Sequence, residues 1–180
     1  MIGTVVDWRG SVVTYLRGLP QPPSPLDHES FAEEWRQGYY ETTRQFAASL
    51  DSTKFQTVDE IHFSILHRLV RKHNLESVWR ENLLHEINLI WHRLHGWPDS
   101  TTGLQLLKSK YIIGTLSNGN VRLLIDMAKF ANLPWDVIFS GDLLKAYKPN
   151  RRTYLGACEY LHLPPEKVAM VTSLFLCEWQ

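Results

Sequence analysis

Cysteine is scarce in this chain, neither sign of charge is in excess, and long apolar runs are missing. The two cysteines among 180 residues, Cys158 and Cys177, make neither a disulfide framework nor a zinc pattern, and both are read as reduced thiols. Nineteen basic residues balance nineteen acidic ones, so nothing here attracts nucleic acid or anionic lipid over long range. No apolar run reaches the roughly eighteen residues of a membrane span, and Met1 to Trp8 lack the basic-then-apolar layout of a leader peptide. A soluble cytoplasmic protein is the expectation, with neither nucleic acid nor membrane as partner.

Metal and phosphate patterns are missing as well. His85-Glu86 opens like a zinc-protease motif, but Leu89 stands where the second histidine is required. His92 and His95 lie one helical turn apart with no third ligand placed by sequence, and packing or surface roles are the expectation. No glycine-rich phosphate loop is present, and the seven tryptophans are scattered along the sequence rather than spaced as a stacking platform.

Two segments of different rhythm remain. From Ser11 to His95 the pattern is helical. Ser30 to Glu33 and Thr57 to Glu60 both have capping-box spacing, in which a hydroxyl caps the third amide and the acid reaches back. Behind Thr57, Ile61, Ile65 and Leu69 recur every four residues with Leu66 and Val70 beside them, an amphipathic stripe. A further helix is predicted over Ser77 to Leu94, carrying Leu84, Ile87, Trp91 and Leu94 on one side. Between Leu19 and Pro25, four prolines rule out continued regular structure and mark a linker. From Gly96 onward, strands and helices alternate. Strands are predicted at Tyr111 to Leu116, Val137 to Phe139 and Val168 to Val171, and helices at Val121 to Ala131 and Arg152 to Leu161. That alternation implies a parallel sheet with crossover helices. The domain reading is an α/β core of residues 1–10 and 96–180 and a helical cap of residues 11–95.

Several short motifs punctuate this frame. They are Gly3-Thr4, Trp35-Arg36, His92-Arg93-Leu94 with Trp97-Pro98-Asp99, Leu116-Ser117-Asn118-Gly119, Leu133-Pro134-Trp135-Asp136 and Tyr147-Lys148-Pro149. Together, from Gly3 to about Ser173, they resemble the type II 2-haloacid dehalogenases of the haloacid dehalogenase superfamily. The resemblance implies a Rossmann-like core with an inserted helical cap. It also implies hydrolysis of the carbon–halogen bond of a small anionic 2-haloacid through an aspartyl ester, with no metal and no cofactor. Homodimers are common in the family, and nothing in this sequence fixes that state.

Site roles follow by the same resemblance. Lys148 would orient an attacking carboxylate, Thr4 would add a hydroxyl and amide to its cradle, Ser117 and Asn118 would hold the substrate carboxylate, and Arg36 would receive the halide. Tyr154 and Ser173 match further family positions near the site. In isolation, Ser117-Asn118-Gly119 is also a common turn before a helix N-terminus, where free amides favour anions.

The first family motif reads Asp-x-(Phe or Tyr)-Gly-Thr, whereas Gly3 here follows only Met1 and Ile2, so the attacking Asp would fall one place before Met1. Asp7 lies four residues past Gly3 and is expected to cap a turn. After Ser173 the run Leu174 to Gln180 departs from the family pattern, with Cys177 at the place of an expected Asp. The expectation is a truncated chain lacking the central first strand, marginally stable and without turnover. Two alternatives stand beside it. One is a non-catalytic binding or regulatory derivative. The other is a magnesium-dependent phosphatase-like relative, disfavoured because the three carboxylate positions it needs are empty.

Overall fold

The computed structural model describes residues 1–48 and 55–172. Two short strands that the sequence pattern did not announce open the molecule: β1 (Val6–Asp7) and β2 (His95–Gly96) pair antiparallel, Val6 opposite Gly96 and Asp7 opposite His95. Two residues are too few to show an alternation, which is why pattern alone missed them. They bring the two ends of the predicted cap segment side by side.

Helix α1 (Trp8–Arg17) starts directly after β1, and Asp7 caps it by accepting from the Gly10 amide at 2.9 Å, as expected of that carboxylate. The proline stretch from Pro20 to Pro25 is irregular, as predicted. Helix α2 (His28–Ala48) begins earlier than the Ser30 spacing suggests. Its cap is Asp27, which accepts from the amides of Glu29 and Ser30 at 3.0 and 3.1 Å, while Glu33 pairs with Arg9 at 2.9 Å. The Ser30–Glu33 capping box is therefore corrected: a stronger carboxylate cap one turn upstream takes the amides. The Thr57–Glu60 box is present at the start of α3 (Val58–Lys72), and Ile61, Ile65, Leu66, Leu69 and Val70 are all buried.

The helix predicted over Ser77 to Leu94 is shorter. Helix α4 spans Glu81–Asn88, and the chain tightens into a 3-10 turn at Leu89–His92, with Leu84, Ile87, Trp91 and Leu94 buried as the stripe requires. Helix α5 (Ser100–Lys108) leads to β3 (Gly114–Ser117), α6 (Val121–Phe130), β4 (Val137–Ser140), a one-turn α7 (Gly141–Leu144) and α8 (Arg151–Leu161). Strands β3 and β4 are parallel, from Gly114 opposite Val137 to Ser117 opposite Ser140, with α6 as the crossover. Strand β3 starts three residues later than predicted, because Tyr111 and Ile112 are exposed and Asp136 ties down the Ile113 amide at 3.0 Å. The strand predicted at Val168 to Val171 is not formed. Those residues are mostly exposed, and among the described residues no strand lies beside them to supply a hydrogen-bond ladder.

One apolar cluster runs from the helical segment (Phe31, Trp35, Leu66, Trp91) into the crossover helix (Leu123, Leu124, Met127). At about 1.5–3 kcal/mol for each large side chain removed from water, it dominates what holds the helices together. A smaller cluster, Phe139, Leu144 and Ala157, seats α7 and α8 against β4. No helix of the described residues is long and apolar enough to cross a membrane.

Candidate active site

The carboxyl ends of β3 and β4 converge, the place where open parallel sheets bind ligands. Ser117 ends β3 and is buried, and its hydroxyl accepts from the Gly119 amide at 3.3 Å. Gly141, opening the turn after β4, donates its amide to the Gly119 carbonyl at 3.2 Å. A Cβ at Gly141 would stand 2.6 Å from the Asn118 carbonyl oxygen and 2.8 Å from the Tyr147 ring, so only glycine lets the two loops approach this closely. At the N-terminus of α6 the Val121 amide is already satisfied by the Asp142 carboxylate at 3.0 Å. The expected row of anion-binding amides is thus partly occupied from within.

Two of the expected site residues meet across these loops. Asn118 accepts from the backbone amide of Lys148 at 2.7 Å, and the turn holding Lys148 closes through the Asn150 amide on the Tyr147 carbonyl at 2.9 Å. Lys148 is half-buried there. Tyr147 anchors the same loop to the helical segment, its hydroxyl donating to the Gln56 carbonyl and its ring lying 4.9 Å from Phe55. Burial pushes the Tyr147 phenol far above its ordinary value, so it serves as a neutral donor. Tyr154 stands half-buried in the first turn of α8, and Thr4 lies in the turn between Met1 and Val6 with its amide on the Met1 carbonyl at 3.1 Å. Ser173 and the run from Leu174 to Gln180 lie outside the described residues.

Arg36 lies among four aromatic rings. Its guanidinium carbon lies 4.7 and 4.6 Å from the ring centres of Tyr39 and Tyr40, and 5.4 and 5.7 Å from those of Trp8 and Trp91. The side chain is 4% exposed, yet its Nε and Nη1 find no hydrogen-bond partner among the described residues. Four aromatic faces offset part of the cost of burying this charge, but they supply no acceptor for its N–H groups. Trp8, Trp35 and Trp91, scattered in sequence, converge here: Trp8 stacks on Trp91 at 6.2 Å and Trp35 meets Trp91 edge-on at 5.4 Å.

Sequence reasoning missed His62, which is stacked on Trp91 at 4.1 Å and on Tyr39 at 5.0 Å and is completely enclosed. Burial holds its imidazole well below the ordinary value, and the charges of Arg36 and His92 push the same way. It sits among the apolar positions of α3, where a histidine reads as one more core residue.

His92 behaves differently. It bridges two carboxylates, Nδ1 to Asp126 at 2.9 Å and Nε2 to Asp59 at 3.0 Å, and Asn120 donates to the other Asp59 oxygen at 2.9 Å. Burial opposes its charge, but the two carboxylates outweigh that and raise its pKa. This chain of contacts ties α3 to α6 beside the Ser117 turn. His95, exposed and 4.9 Å from Phe130, takes no part. No group of three potential metal ligands occurs among the described residues.

A family model described as haloacid dehalogenase-like hydrolase matches residues 3–172. The chain belongs to that family. The chain is 30% identical to (S)-2-haloacid dehalogenase 4A of Burkholderia cepacia over 174 residues, covering 95% of this chain and 71% of that protein. The crystal structure of the L-2-haloacid dehalogenase PA0810 superposes with a TM-score of 0.84 at 36% identity, over 93% of this chain and 70% of that one. The defluorinating L-2-haloacid dehalogenase Rha0230 matches with a TM-score of 0.82 at 37% identity, over 91% of this chain and 66% of its own. The α/β architecture of the dehalogenase-like hydrolases is therefore the fold of this chain.

Proposed function

We propose that this chain binds small 2-haloacids, the substrates named for its relatives, and that Ser117, Asn118 and Lys148 take the organic acid while Arg36 takes the halogen. In this reading residues 11–95 form the cap and residues 1–10 and 96–180 the core. The surroundings of Arg36 carry the proposal. A buried guanidinium walled by four rings, with N–H groups left over, suits a weakly hydrated anion such as chloride or bromide leaving carbon. The Asn118–Lys148 contact supports it by fixing the loop that would aim the ammonium at a carboxylate. Thr4, Tyr154 and Ser173 complete the proposed cradle.

The covalent step needs one more group. In the proposed reaction a carboxylate oxygen attacks the substrate's C2, the halide departs with the bonding pair, and water cleaves the resulting ester to the 2-hydroxyacid. We propose that this role falls to a carboxylate next to Gly3, the place at which the family's first motif carries its Asp.

Calorimetric titration with 2-chloropropionate tests the binding claim. Saturable binding is expected, weakened at least about tenfold by Arg36→Leu or Lys148→Met, the loss of one charge-assisted contact. Binding equal in wild type and both variants, or none at all in a chain that melts cooperatively, would contradict it.

A further inference from the structure

The aromatic surround of Arg36 holds unpaired polar atoms besides those of Arg36 itself. His62 Nδ1 and Nε2 and Trp91 Nε1 are buried without hydrogen-bond partners among the described residues, like Arg36 Nε and Nη1. The three side chains share walls: Tyr39 and Trp91 flank His62 at 5.0 and 4.1 Å and Arg36 at 4.7 and 5.7 Å. Buried polar groups left unpaired are rare because each is costly, and five such atoms fall on three side chains joined by ring contacts. Trp35 shows the contrast, since its indole N–H donates to the His62 carbonyl at 2.9 Å and is satisfied.

We infer that His62 and Trp91 complete, with Arg36, a three-donor site for a small monatomic anion, and that His62 takes up a proton when the anion enters. The inference rests on the haloacid reading for the role of Arg36 and adds two donors and a proton to it. Its physical basis is the sign of the field at His62. The charged groups that act on the imidazole are Arg36 from α2 and His92 from the 3-10 turn, both cationic, with Tyr39 of α2 stacked against its face. Asp59 and Asp126 are already bound to His92. An anion seated against Arg36 cancels the nearest repulsion and offers His62 an acceptor, so the charged imidazole becomes the favoured form. A neutral histidine brings one N–H to the site, and a protonated one adds a full charge at hydrogen-bond range.

Sodium bromide titration of the 180-residue chain tests this, followed by tryptophan fluorescence, with sodium sulfate at matched ionic strength as control. Saturable binding should tighten as pH falls, by up to about tenfold per pH unit, which is one proton taken up per anion. His62→Phe keeps a flat ring between Tyr39 and Trp91 and should weaken bromide binding about ten- to a hundredfold and flatten the pH profile. His62→Gln returns an N–H that cannot titrate. It should recover part of the affinity with no pH dependence, which separates His62 from the titration of His92. A flat wild-type profile overturns the inference, as does a bromide affinity in His62→Phe equal to wild type. Should His62→Phe fail to melt cooperatively, the wild-type profile against His62→Gln decides. Bromide binding with the expected slope but no 2-chloropropionate binding would sink the haloacid reading alone. 2-Chloropropionate binding indifferent to His62 would sink this inference alone.

Discussion

Replacing His92 with leucine should lower stability at pH 6 and remove most of the fall in stability that the wild type shows on going to alkaline pH. Both imidazole nitrogens face carboxylates, which only accept, so both must carry protons and the ring is cationic in the native state. Its folded pKa lies above the ordinary value, against the opposition of burial. A raised folded pKa means that the native state holds the proton more tightly than the unfolded chain. The stabilisation is therefore fully present below the unfolded value of about 6.5 and is lost as pH rises through the higher folded value. Leucine fills the space but removes one donor from each carboxylate, leaving Asp59 with Asn120 and Asp126 with Arg122. Those partners remain and the carboxylates are 30% and 29% exposed, so water screens them and the expected loss at pH 6 is about 1–3 kcal/mol. Urea unfolding at pH 6 and at pH 8.5 reads both effects. Equal pH slopes in wild type and variant would refute the assignment of a charged bridge.

Gly141→Ala should destabilise by about 1–3 kcal/mol in urea unfolding and weaken 2-chloropropionate binding, because the atom met at 2.6 Å is the Asn118 backbone oxygen, which cannot swing aside. Thr57→Ala removes the hydroxyl half of the α3 capping box and should cost about 1 kcal/mol, read as a lower Tm with ligand affinity unchanged.

Elements whose signal is local were legible in the sequence. The α3 stripe and its Thr57 cap, the Asp7 cap and the crossover helix after Ser117 all depend on residues within a turn or two of one another. What failed depends on distant partners. Val168 to Val171 has strand composition but no neighbouring strand among the described residues, and Ser30 loses the cap to Asp27, which offers two carboxylate oxygens one turn earlier. The site divides in the same way. Ser117, Asn118 and Lys148 were visible as motifs, and thirty residues of sequence separate Asn118 from Lys148 before a single 2.7 Å bond joins them. His62 and Trp91 were invisible as donors, since nothing in an apolar stripe marks which polar member faces a charge. The gathering of Trp8, Trp35 and Trp91 is a product of three different elements packing together, with Trp8 and Trp35 both against Trp91.

Halide release from 2-chloropropionate tests the central claim most directly, measured on a version that carries a family-type strand with Asp one place before Met1, with and without Arg36→Leu and Lys148→Met. The expected result is measurable release that falls at least about tenfold in each variant. Release equal in all three would contradict the assignment of Arg36 and Lys148 to the site.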